Sequence, residues 1–148
     1  MNEVLHFEGE LTLKSNNGKS IFGIFGVSEE TKENMKFFIK SLLLTVIASG
    51  EKTGEFKGNN ASFEDLFVEI EKKPEDKKAL KETIRTLGSV MIYSSENKSK
   101  LKPVIQVNKN LDYGYFLICV VQFLINYSIE CGFLTGEEQF ISEVLNKL

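Results

Sequence analysis

The chain has 148 residues, enough for one domain that buries about 70% of the surface its unfolded form would expose. Its 42% hydrophobic and 26% charged residues are those of an ordinary globular protein, and only two prolines and eleven glycines leave little room for a disordered tail. The net charge of −3 selects no class of partner by itself.

Residues 4–14 alternate. Leu5, Phe7, Leu11 and Leu13 are apolar, with Gly9 among them, whereas His6, Glu8, Glu10, Thr12 and Lys14 are polar. A period of two predicts a half-buried strand, and Ser20–Val27 predicts a second. Asn17-Gly18 between them is a strong signal for a two-residue hairpin turn, because both central residues of a type I′ turn need positive φ. With the turn at 17–18, Leu13 falls opposite Phe22, Leu11 opposite Ile24 and Gly9 opposite Gly26. The last pair predicts a shallow notch open to a helix backbone or a ligand.

Gly18-Lys19-Ser20 has the ending of a phosphate-binding loop, but that loop needs a glycine where Leu13 stands and a helix after the serine. The segment after Ser20 has a strand pattern, so the hairpin accounts for these residues and a nucleotide site does not.

Ser28 followed by Glu29 and Glu30 predicts a helix start over 29–49. Met35, Phe38, Ile39, Leu42, Leu43, Val46 and Ile47 form its apolar stripe, with Gly50 as the stop. A glycine-rich loop comes next over 51–61, containing Gly54 and Gly58. Ser62 with Asp65 predicts a short helix. Pro74 predicts the start of another over 75–87, with Gly88 after it. Residues 90–94 and 103–108 predict a second hairpin around a polar loop. Asp112 predicts the cap of a helix over 113–131 closed by Gly132, and Thr135 with Glu138 the capping box of a last helix over 136–147. The order β-β-α-α-α-β-β-α-α defines an α+β fold: an antiparallel sheet of two hairpins packed by helices, in one domain over 1–148.

The chemistry-bearing residues are few. His6 is the only histidine and lies on the polar side of its strand, which makes it a surface residue. Cys119 and Cys131 fall in one predicted helix, twelve residues and roughly 18 Å apart, so they cannot bond to each other. One histidine and two distant cysteines give no metal-ligand spacing, and no cofactor motif is present. The N-terminal residues lack a basic segment followed by an apolar run, and the two unpaired thiols fit a reducing, cytoplasmic location.

Residues 72–109 contain ten Lys or Arg against four Asp or Glu, and the rest of the chain eight against seventeen. In that basic segment Lys77, Lys81, Arg85, Lys98, Lys100 and Lys102 are the candidate contacts for an anion or an acidic partner. Only Tyr93 there can stack on a base, which argues against nucleic acid. Residues 113–129 carry no charge, but they are short for a membrane span and include Gln122 and Asn126 on one polar stripe. That pattern predicts a core helix, with Gln122 and Asn126 at the interface of a homodimer.

No catalytic constellation emerges. The sequence is therefore read as a small cytoplasmic, non-catalytic protein-interaction module, of the regulator, adaptor or inhibitor kind, with a protein partner. The alternative is a protein that binds a small anionic or nucleotide-derived ligand at Gly9, Gly26, Gly54, Gly58 and the basic residues. The third is an enzyme of unrecognised type.

Overall fold

A computed structural model describes residues 5–16, 20–54, 84–96 and 100–148. The Asn17-Gly18 turn, the helices expected around 62–70 and 75–83, and the loop positions 55–61 and 97–99 lie outside the described residues. The elements are β1 (His6–Asn16), β2 (Ser20–Val27), α1 (Glu29–Lys32), α2 (Met35–Thr53), β3 (Ile84–Ser94), β4 (Leu101–Val107), α3 (Tyr113–Glu130) and α4 (Ile141–Lys147). The four strands make one sheet in the order β2-β1-β3-β4, every neighbour antiparallel. The expected α+β class stands.

The first hairpin has a different register from the one its sequence predicts. Asn16 pairs with Ser20, Leu13 with Gly23, Leu11 with Phe25 and Gly9 with Val27. Three residues rather than two separate the paired ends, and a one-residue slip moves a whole strand to the other face. Ile21 and Phe25 consequently pack on the core, while Phe22 and Ile24 are exposed. Gly9 and Gly26 lie on opposite faces, and the expected notch does not form. The inner face instead carries Gly9, Gly23 and Gly88, each roofed by one ring: Phe38 of α2, then Phe123 and Phe116 of α3. Three bare backbone positions let two helices lie close on the sheet.

The long β3 corrects the helix expected over 75–87, whose last residues are strand. Leu13 pairs with Gly88 but Lys14 with Thr86, so Leu87 is an extra residue in a β-bulge. The bulge allows both Leu87 and Val90 to be fully buried, a spacing of three that imitates a helical stripe. Asn108 locks the bulge by donating its backbone N–H to Leu87 O at 2.8 Å and its side-chain amide to Thr86 O at 3.0 Å.

The helix expected over 29–49 is two helices. Ser28 caps α1, its Oγ accepting from Thr31 N at 3.2 Å. The chain then turns at Glu33–Asn34 and restarts as α2. Gly50 is buried inside α2 and does not stop it. The helix ends at Gly54, whose φ of +82° supplies the left-handed residue a helix terminus uses.

Helix α3 is the centre of the core. Asp112 caps it, accepting from Tyr115 N at 2.9 Å, and Phe116, Leu117, Val120, Val121 and Leu124 are completely buried. Although α3 is long and apolar enough to cross a membrane, 61% of it is buried within this chain.

The last helix starts later than expected. Thr135 does bond to Glu138, its N–H donating to Oε1 and its hydroxyl to Oε2, while Thr135 Oγ1 accepts from Glu137 N. The segment is nevertheless a turn, because Gly136 has φ +94°, and α4 begins at Ile141. Lys147 reaches back from the end of α4 to Glu138 at 2.9 Å. That hydrogen bond, with those from Thr135 and Gly136, holds the Glu138 carboxyl well below the usual carboxylate range despite its burial.

Candidate functional site

A second bulge shapes the best-formed cavity among the described residues. On β1, Phe7 pairs with Tyr93 and Gly9 with Ile92, so Glu8 has no partner on β3. A bulge re-aims a side chain. Simple alternation would put Glu8 on the polar face with Glu10 and Thr12. Instead its carboxylate turns inward to the joint of α1 and β3. Ser94 Oγ, fully buried, donates to Oε1, and Thr31 Oγ1 donates to Oε2 at 3.1 Å. Thr31 Oγ1 in turn accepts from Ser28 Oγ at 2.8 Å. The residue that caps α1 thus also anchors the hydroxyl that orients Glu8.

Around this network lies a cavity of about 260 Å³. Phe38 and Ile92, both buried, form part of its wall, and Phe37 and Leu101 stand exposed at its mouth. Glu30, Asn34 and Ser41 complete the lining. Ser41 Oγ donates to Phe37 O at 3.0 Å and is committed to its own helix. No lysine, arginine, histidine or cysteine is among the described lining residues. The arrangement offers a fixed carboxylate facing apolar walls. That can accept hydrogen bonds from a ligand.

The same bulge sets what the outer face of the sheet presents. Phe7 packs on Tyr93 with ring centroids 5.6 Å apart, and the Tyr93 hydroxyl lies 3.9 Å from Met91 Sδ. Val104 stands opposite Met91 on β4. Phe7 is 44% exposed and Val104 39%, so the corner is an accessible aromatic and aliphatic surface. Lys102, opposite Tyr93, borders it.

The residues singled out from sequence are not brought together. Lys77, Lys81, Lys98 and Gly58 lie outside the described residues. Arg85 is the second residue of β3, opposite Ser15, whereas Lys102 pairs with Tyr93 near the other end of that strand, roughly 25 Å away. Lys100 is exposed in the turn before β4. A side chain on Gly9 would strike Phe38 and Val27, so no space for a ligand exists there, while Gly26 and Gly54 face open space. Gln122 is half-buried and Asn126 exposed on α3, and His6 is exposed, as expected. Cys119 is buried and Cys131 exposed, both as free thiols. Sequence reasoning missed Glu8, Thr31 and Ser94. The only linear signal for them was the uninterrupted polar series His6, Glu8, Glu10, which hides a bulge.

Aromatic residues also close the β2 edge, where Phe25 lies 4.9 Å from Tyr127 and 5.8 Å from Phe123. Burial, then the Cys131 hydrogen bond, pushes the Tyr127 phenol above its usual value. Neither residue lines the cavity.

No protein-family model, curated protein or solved structure matches this chain.

Proposed function

We propose that this chain is a non-catalytic protein-interaction module that docks a partner protein on the sheet corner formed by Phe7, Tyr93, Met91 and Val104. The observation that carries this is exposed Phe7 packed on half-buried Tyr93 beside Met91. Aromatic residues and methionine are enriched at protein interfaces, where a few large side chains supply most of the binding energy. Lys102 and Gln106, both exposed on β4, give the corner a polar rim. A cytoplasmic location is part of the proposal, supported by the free thiols Cys119 and Cys131.

The alternative of an anionic ligand gains less support. The best-formed cavity holds Glu8 and Glu30, and its described lining has no cation. Self-association through α3 gains less support, since Phe116, Leu117, Val120, Val121 and Leu124 are covered within one chain and only Phe123, Tyr127 and Ile129 are half-buried beside Gln122 and Asn126.

The test is photo-crosslinking from position 104 in the cell, followed by identification of the captured protein. Purified partner is then titrated against Phe7→Glu and Ile24→Glu. Ile24 is exposed on the same face but on the far strand, β2. Binding lost in Phe7→Glu and kept in Ile24→Glu supports the docking corner. Binding lost only in Ile24→Glu moves the site, and the absence of any crosslinked protein overturns the proposal.

A further inference from the structure

The Glu8 cavity lies on the other face of the sheet from the docking corner, and its chemistry is selective in its own right. We infer that it binds a small organic cation: a protonated primary amine carried on an apolar body about the size of a phenyl ring.

Charge selects the sign of the ligand. Glu8 is held by Ser94 and Thr31, one hydroxyl on each oxygen, which fixes the carboxylate and leaves lone pairs for further donors. Glu30 adds a second carboxyl to the lining, and no described lining residue is positively charged. An anion entering here would lose hydration and meet like charge, whereas an ammonium gains a charge-assisted hydrogen bond.

The walls select the rest of the molecule. Phe37, Phe38, Ile92 and Leu101 line the cavity with apolar surface, and the two rings can also face a cation. At about 260 Å³ the space lies just under the usual range of roughly 300–1,000 Å³ for ligand pockets, which limits the ligand to a small one. A neutral apolar ligand would fill the walls but leave Glu8 without a counter-charge.

The probes are phenethylammonium, phenylacetate and 2-phenylethanol, which share a ring and a short arm and differ in charge. Each is titrated into the full chain at low salt, with amide shifts followed by NMR. Phenethylammonium is expected to shift the amides of Thr31, Asn34 and Ser94, 2-phenylethanol to bind about tenfold more weakly, and phenylacetate not to bind. Glu8→Gln should lower amine affinity about tenfold or more, the effect of losing a hydrogen bond to a charged group. Phe37→Ala removes an exposed wall residue and should weaken the amine severalfold while leaving the fold intact, so it decides the matter where Glu8→Gln fails to fold. Val104→Glu, on the outer face, should leave amine binding unchanged even where it abolishes partner docking. Equal binding of phenylacetate, unchanged affinity in a folded Glu8→Gln or in Phe37→Ala, or no shift at millimolar amine would overturn the inference.

Discussion

Alanine at each of four sheet glycines is expected to give a graded series, with Gly88→Ala the most destabilising and Gly26→Ala close to neutral. At Gly88 a new Cβ would collide with the Gln106 carbonyl oxygen, which is backbone of the neighbouring strand, and would lie 2.8 and 2.9 Å from two ring carbons of Phe116. Phe116 is fully buried and cannot swing aside. Overpacking costs about 1–3 kcal/mol in a core, and with neither neighbour free to yield the cost should reach the top, about 3 kcal/mol. At Gly9 the Cβ would sit 2.6 Å from Phe38 Cζ and 2.8 Å from Val27 Cγ1. Both are side chains, and about 2 kcal/mol is expected. At Gly23 the obstacles are the half-buried ring of Phe123 at 2.5 Å and a terminal methyl of Leu11 at 2.9 Å, for about 1 kcal/mol. At Gly26 nothing lies within 4 Å, and alanine should change stability by less than about 0.5 kcal/mol, with any gain coming from a stiffer unfolded chain.

The assay is urea unfolding followed by far-UV circular dichroism, since the chain has no tryptophan. An unchanged slope would show that stability alone has moved. At about 2–4 °C per kcal/mol for this size of domain, Gly88→Ala should melt about 6–12 °C below the parent. The decisive comparison is Gly9 with Gly26. If both alanines cost the same, the two glycines share a face. Asn17-Gly18 would then be a two-residue turn, and the observed register of β1 and β2 would be wrong.

Asp112→Ala removes the cap of α3 and should cost about 1 kcal/mol in the same urea assay. Glu138→Gln should be less stable than the parent at neutral pH, and the difference should shrink as pH falls. The folded carboxyl titrates below its ordinary 4.5, so its contribution is complete above 4.5 and fades as the folded group protonates at lower pH. Thermal melts at pH 7, 4 and 2.5 check this, and a constant difference would refute it. Asn126→Lys, at an exposed position, should leave stability within about 0.5 kcal/mol. Light scattering should return 16.8 kDa for it and for the parent, because one chain covers most of the apolar residues of α3. A parent of twice that mass that Asn126→Lys splits would place a dimer on α3.

Periodicity and caps were enough to place most of the described elements, because those signals are local. Ser28 and Asp112 cap helices where their chemistry says they should. The errors have a common cause, since each concerns a choice made between two local possibilities by distant packing. Asn17-Gly18 signals a turn but not how many residues it uses, and the slip that decided the faces of Phe22, Ile24, Phe25 and Gly26 was settled by which of them α3 could cover. Gly50 was the expected helix stop, but it is buried within α2, and the helix runs on to Gly54. The helix expected over 75–87 ran on into β3 because Leu87, the extra residue of a bulge, breaks the alternation that marks a strand. The cavity was illegible for the same reason, as its polar residues come from β1, α1 and β3 and meet only through the fold.

The extra residue at Glu8 ties the two faces together. Without it, strict alternation from Gly9 back along β1 would put Phe7 on the inner face and Glu8 on the outer. With it, Phe7 pairs with Tyr93 on the outside, and Glu8 joins Gly9 on the side of α1 and α2. One insertion therefore creates the exposed aromatic corner and the inward-turned, half-buried carboxylate at once, in adjacent residues of a single strand. Its backbone is held where it bends, since Ser28 N donates to Glu8 O at 3.3 Å while the side chain is held by Thr31 and Ser94. A ligand drawing on the Glu8 carboxylate would act on a residue covalently next to Phe7. The two side chains therefore share one constraint: a change that removed the extra residue would turn Phe7 inward and Glu8 outward together.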